Sequence, residues 1–190
     1  VELSRLALVG VVAALVTVAT VPLAIWLAGR FGMVVAPSER RIHQRPTPTL
    51  GGLAMFIGVA ASIGVAALLP GFEAVRASPS NLVGVAAATA VIFAVGLIDD
   101  VREVSAPAKL AGTVLAGSVL ALSGVSIVNL PLPFIGFTVL SPDLAALVTV
   151  LWVVVMANAV NLIDGLDGLA AGTVAIAAGA CGSSVAARCC

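Results

Sequence analysis

Asp99 and Asp100 are adjacent carboxylates at the edge of an apolar segment of a 190-residue chain. Side by side near lipid, two such charges repel and cost free energy unless a cation or a proton resolves the conflict. A hard divalent ion such as Mg²⁺ does this with one or two carboxylates plus the phosphates of a substrate. The plain structural reading is that the pair ends a helix in water. A second group, Asn158, Asn161 and Asp164, recurs at intervals of three and so keeps to one helical face, with Asp167 continuing the step if the helix persists past Gly165. A calcium loop is excluded there, because Asp-Gly-Leu-Asp-Gly lacks the alternating acids and the closing Glu. Amides bonding between helices and Asp-Gly turns are the structural alternative. The third group is basic. Arg41, His43 and Arg45 precede two X-Pro units and Gly51-Gly52, and guanidinium forks with an imidazole can clamp phosphate oxygens. Topology-setting contacts to anionic headgroups are the ordinary reading of such a loop. Lys109, the only lysine, is a phosphate partner or a snorkelling anchor.

The elements that position these groups follow from composition. Hydrophobic residues make up 61% of the chain and charged ones 9%, with a mean hydropathy of +1.22. A bilayer core of about 30 Å takes about 20 helical residues to cross. Six uncharged runs have roughly that length: 6–29, 50–69, 81–98, 110–128, 144–162 and 169–187. Lipid forces backbone amides to bond internally, and the runs are too long for tilted barrel strands, so an all-α, polytopic membrane fold with about six transmembrane helices is predicted. The first run is too long for a signal-peptide core and reads as a retained helix. Pro107 suits the first turn of the fourth helix, and the apolar, proline-rich stretch from 129 to 142 suits a short hairpin around Pro133 and Gly136.

Of the nine Lys and Arg residues, Arg30, Arg40, Arg41, Arg45, Arg102 and Lys109 fall in loops on one side, against Arg5, Arg76 and Arg188 on the other. That bias predicts an N-terminus outside and all three polar loops on the cytoplasmic face. Zero net charge and a pI near 6.7 give no reason to expect nucleic acid as a partner. Cys181, Cys189 and Cys190 crowd the last ten residues, in neither a disulfide framework nor a zinc spacing.

Taken in order, Arg41-Ile-His-Gln-Arg-Pro-Thr-Pro-Thr-Leu-Gly-Gly52, Gly96-Leu-Ile-Asp-Asp100 with Lys109, and Asn158-Ala-Val-Asn-Leu-Ile-Asp-Gly-Leu-Asp-Gly-Leu169 resemble the polyprenyl-phosphate N-acetylhexosamine-1-phosphate transferase superfamily. The His-x-x-Pro-x-Pro-x-x-Gly-Gly form of the first loop is similar to the branch that uses UDP-GlcNAc for teichoic acid, O-antigen or arabinogalactan linkage. The resemblance implies transfer of GlcNAc-1-phosphate from UDP-GlcNAc to undecaprenyl or decaprenyl phosphate in the bacterial inner membrane, with Mg²⁺ or Mn²⁺ as cofactor; the sequence leaves the oligomeric state open, a homodimer among the options. It implies that Asn161, Asp164 and Asp167 hold metal or nucleotide, with Asp99 and Asp100 joining the metal set and Asp99 orienting the nucleophile. Lys109 and Asn158 would meet substrate, and Arg41, His43 and Arg45 would line the approach of the lipid head. All of these groups are expected to converge beneath the headgroups on one cation pocket.

Family members carry further helices, a later metal-binding Asp and a histidine-containing sugar loop. The 190 residues are therefore expected to form a single transmembrane domain, the N-terminal part of a longer transferase, inactive if it stands alone. An ion-coupled secondary transporter is the alternative from another class. It would place its acids near mid-bilayer on broken helices rather than at helix ends on one side.

Overall fold

The computed structural model describes residues 3–31, 34–35, 47–48, 50–73, 77–102, 104–132, 136–163 and 169–188. Among the described residues the main helices are α1 (Leu3–Phe31), α2 (Gly51–Leu68), α3 (Pro79–Val101), α4 (Ala106–Leu122), α5 (Pro142–Ile163) and α6 (Leu169–Arg188). Two small antiparallel ribbons complete it, β1 (Val34–Val35) with β2 (Thr47–Pro48), and β3 (Asn129–Leu132) with β4 (Gly136–Val139). Helices α1, α2, α3 and α5 are long and apolar enough to cross a membrane, whereas α4 and the apolar part of α6 are shorter. The all-α membrane class and the hairpin beside Gly136 are as the sequence predicts.

The fourth helix departs from its predicted span of 110–128 for local reasons. It starts early because Ser105 is extended and Pro107 fits the first turn, where a missing N–H costs nothing. Its end comes at Leu122 because Gly124 takes a φ of 90°. The Gly124 N–H donates to the Ala121 carbonyl at 3.1 Å and the Val125 N–H to the Leu120 carbonyl at 3.2 Å, the paired bonds of a Schellman ending.

By its internal contacts the chain forms two compact units, one of residues 2–73 and 93–104, the other of 74–92 and 105–190. In the first, α1 and α2 form an antiparallel pair along a seam of small residues. Ala54, Gly58, Ser62 and Ala66 repeat every four positions on α2 and all are buried. Helices that gain no hydrophobic drive from lipid associate where small side chains let backbones approach. A Cβ on Gly58 would overlap the Thr17 hydroxyl and come within 2.8 Å of the Ala13 carbonyl oxygen. At one end Ala24 and Ala28 pack on Leu50 and Ala54, and at the other the Arg5 guanidinium donates to the Pro70 carbonyl at 2.7 Å.

The second unit repeats this device. Gly117 of α4 lies so close to α5 that a Cβ would sit 3.0 Å from Val150 Cα, and one on Gly84 of α3 would overlap Ser123. Buried Thr149 donates to the Ala145 carbonyl at 2.6 Å and accepts from the Ile127 N–H at 2.9 Å, tying the segment after α4 to the first half of α5.

Gly58 and Gly64 form a matched test of this packing, because no atom lies within 4 Å of a Cβ on Gly64. Gly64→Ala should hold or raise the melting temperature in detergent, since Ala favours a helix over Gly by about 1 kcal/mol. Gly58→Ala should lower it, through an overpacking cost of about 1–3 kcal/mol that outweighs the same gain.

Candidate active site at the helix ends

In the first unit the acid pair sits on the last turn of α3. Phe93 of that helix stacks on Phe56 of α2 with ring centroids 4.5 Å apart, and Leu97 packs against the cluster of Ala24, Ala28, Leu50 and Ala54. These contacts hold the C-terminal end of α3 beside the last turns of α1 and the first turn of α2. Asp99 and Asp100 are therefore at the end of the unit where α1 stops and α2 starts. The β1–β2 ribbon, which pairs Val34 with Pro48 and Val35 with Thr47, closes the chain between those two helices at that end. Arg41, His43 and Arg45 belong to the segment it brackets and lie outside the described residues.

The two acids differ. Asp99 is half-buried, and its Oδ1 accepts from the Val104 N–H at 3.0 Å, while Asp100 is exposed. Asp99 thus holds the turn that leaves α3 as well as carrying charge. A sequence reading finds the pair but not this bond, since an aspartate five residues before a valine carries no turn signature of its own.

In the second unit the polar groups gather at one end of the α4–α5 pair. These helices are antiparallel, because the β3–β4 hairpin joins the end of one to the start of the other and the Leu140 N–H donates to the Val128 carbonyl at 2.8 Å across its base. Gly117 faces Val150 at the crossing. Lys109 is eight residues before Gly117 and Asn158 eight residues after Val150, so at 1.5 Å per residue each lies about 12 Å from the crossing, toward the same end. Lys109 is half-buried, and Asn158 and Asn161 are exposed on the last turns of α5. Asn158 turns its amide back to the Val154 carbonyl at 2.8 Å, which leaves Asn161 as the amide whose role the helix itself does not explain. Asp164 and Asp167 follow directly and lie outside the described residues, so their expected convergence with Asp99 does too.

The paired carboxylates of the first unit are hard donors, which by type fit Mg²⁺ or Mn²⁺ and not a soft, thiolate-seeking ion, and the Asn161 amide oxygen of the second unit is a hard donor as well. Among the described residues no three or more carboxylate, imidazole or thiol groups come together. Each unit thus holds its own polar end, adjacent carboxylates closing α3 in the first, and a lysine at the start of α4 with exposed amides at the end of α5 in the second.

Comparison with known proteins agrees. A model of the family described as glycosyl transferase family 4 matches residues 82–188, the stretch that holds the acid pair, Lys109 and the amide row. The chain is 43% identical over 174 residues to the decaprenyl-phosphate N-acetylglucosaminephosphotransferase of Mycobacterium leprae, covering 90% of this chain and 44% of that relative. It is 32% identical to a probable undecaprenyl-phosphate N-acetylglucosaminyl 1-phosphate transferase of Bacillus subtilis, covering 88% of this chain and 45% of the relative. A phospho-N-acetylmuramoyl-pentapeptide-transferase of Desulforudis audaxviator is 39% identical, with 88% and 56% covered. The chain spans about half the length of the curated relatives it matches. No solved structure gives a significant match. The acid pair, the amide row and this likeness over most of the chain lead to one conclusion: the chain belongs to glycosyl transferase family 4.

Proposed function

We propose that this chain serves the transfer of GlcNAc-1-phosphate from UDP-GlcNAc to a membrane polyprenyl phosphate. The observation that carries the reading is the 43% identity, over 90% of the chain, to a relative named as a decaprenyl-phosphate N-acetylglucosaminephosphotransferase. A phosphate oxygen of the polyprenyl phosphate attacks the phosphorus that bears the sugar. The bond from that phosphorus to the bridging oxygen breaks, and UMP leaves with the electron pair. The products are polyprenyl-diphosphate-GlcNAc and UMP.

Such a transition state spreads negative charge over phosphoryl oxygens, so catalysis rests on positioning and on cationic partners. The nucleophile needs no strong base, because a phosphate monoester has a second pKa of about 6 and is largely dianionic at neutral pH. Asp99 therefore orients rather than deprotonates, in keeping with the hydrogen bond that already holds its Oδ1. Asp100, Asn161, Asp164 and Asp167 complete the set that would hold Mg²⁺ or Mn²⁺ with Asp99. Bound there, the ion would screen the charge developing on the diphosphate and on departing UMP. Lys109 would pair with phosphate and Asn158 would meet substrate, and Arg41, His43 and Arg45 would line the approach of the lipid head. In this reading six helices span the bacterial inner membrane, with the N-terminus outside and the site on the cytoplasmic face.

The test is UMP release from UDP-GlcNAc and polyprenyl phosphate in membranes that hold the chain together with the remaining half of a full-length relative. Release should stop on chelation of divalent ions and return with Mg²⁺. Release that ignores chelation, or none at any metal concentration, would refute the reading, and a proton- or sodium-driven flux in its place would favour a transporter. Asp99→Asn should lower release by about 10²-fold, the scale of one lost electrostatic partner, at nearly unchanged stability, because the amide oxygen can still accept from Val104. Asp99→Ala should lose the activity and also about 1 kcal/mol of stability, read as a shift in melting temperature.

A further inference from the structure

The β3–β4 hairpin stands at the end of the α4–α5 pair opposite Lys109 and Asn158, and nothing in the transfer reaction uses it. Its register places Pro131 opposite Phe137 and Asn129 opposite Val139. Alternation along β4 puts Phe137 and Val139 on one face, and they are 80% and 73% exposed, while Thr138 between them is half-buried. No charged residue occurs between Lys109 and Asp143. A two-stranded ribbon is at best marginally stable in water, and an aromatic and a valine held open on one of its faces make it worse off there.

We propose that this hairpin lies in the interfacial layer of the bilayer, with the Phe137 and Val139 face against the acyl chains. Continuity decides for lipid over a protein partner. The ribbon leads within three residues into α5, one of the helices long and apolar enough to cross a membrane, whose Leu144, Leu147 and Leu151 are themselves exposed, so the ribbon's apolar face continues an exposed apolar helix. Depth is limited from both sides. The outer rows of backbone N–H and C=O groups in a two-stranded ribbon have no ladder partner, and the hydrocarbon core would leave them without water. Asp143, exposed in the first turn of α5, belongs at headgroup level for the same reason. The apolar face therefore sits about 5–10 Å into the boundary between headgroups and acyl chains. Thr149 holds the strut at Ile127 and Leu140 closes the base on Val128, so the hairpin keeps a fixed angle to α5. It acts as a float that sets how deep this helix pair rides, and with it the level of the polar end.

The test places a tryptophan at the face in a chain whose own tryptophans, Trp26 and Trp152, are changed to Phe. Phe137→Trp, with Val139→Trp as a second reporter in case one variant misfolds, is reconstituted in phosphatidylcholine vesicles with lipids brominated at different depths. Fluorescence loss should be largest for bromine near the headgroup end of the chain and smaller for bromine near its tip, with little loss to aqueous iodide. Trp152 kept alone on α5 reports the depth of the helix and confirms insertion. With that control quenched by deep bromine, quenching of the hairpin reporter by iodide alone would show that the face stands in water. Protection from bromine and iodide alike would show a second protein surface covering it. Either result overturns the proposal.

Discussion

A backbone that must satisfy every amide within itself governs this chain. In the described residues helices and two short ribbons meet that demand, and the demand leaves little room for polar side chains along the spans. Thr20, Ser62, Thr89, Ser118 and Thr149 all bend their hydroxyls back to carbonyls three or four residues earlier, which removes them from any chemistry. Among the described residues, the carboxylates, the lysine and the amides singled out above lie at helix ends. Asp99 and Asp100 close α3, Lys109 lies in the first turn of α4 and Asn161 in the last turn of α5.

Confining chemistry to the ends makes the seams between helices a matter of placement. Without a hydrophobic drive in lipid, contact must come from close approach, and the residues that permit it are small. The four-residue repeat of Ala54, Gly58, Ser62 and Ala66 sets the level of α2 against α1. Leu97 and Phe93 then set the end of α3 against that pair, and so the height of the acids. In the other unit Gly117 and Thr149 do the same for Lys109 and the asparagines. A seam that slipped by one turn would move a carboxylate about 5 Å along the membrane normal, from water toward hydrocarbon.

Much of this is legible in the residues. Uncharged runs mark the helices because the bilayer demands length and apolarity, and Pro107 marks the start of α4 because a proline suits the first turn of a helix. The hairpin could be read from Pro133 and Gly136, since a proline-rich apolar stretch ending in glycine does not continue a helix. Less legible was the end of α4. Val125 to Val128 look as apolar as the span before them, and only the positive φ of Gly124 separates the two. The seams were illegible for a related reason: glycine and alanine are common throughout the chain, and nothing local distinguishes Gly58, which touches a neighbouring helix, from Gly64, which touches none. Asp99 was found by its partner acid, while its bond to Val104 depends on how the turn after α3 folds back.

In the proposed function, charges at helix ends would receive two anionic substrates that otherwise repel each other. Binding of a hard divalent ion by the paired acids is the center of that account. Electron paramagnetic resonance of Mn²⁺ added to the chain in vesicles tests it directly, since free and bound ion differ in signal. The account expects a bound fraction in the native chain that falls sharply in Asp100→Asn while the helical content holds. Equal binding by the native chain and the variant, or none by either in the presence of UDP-GlcNAc, would contradict it.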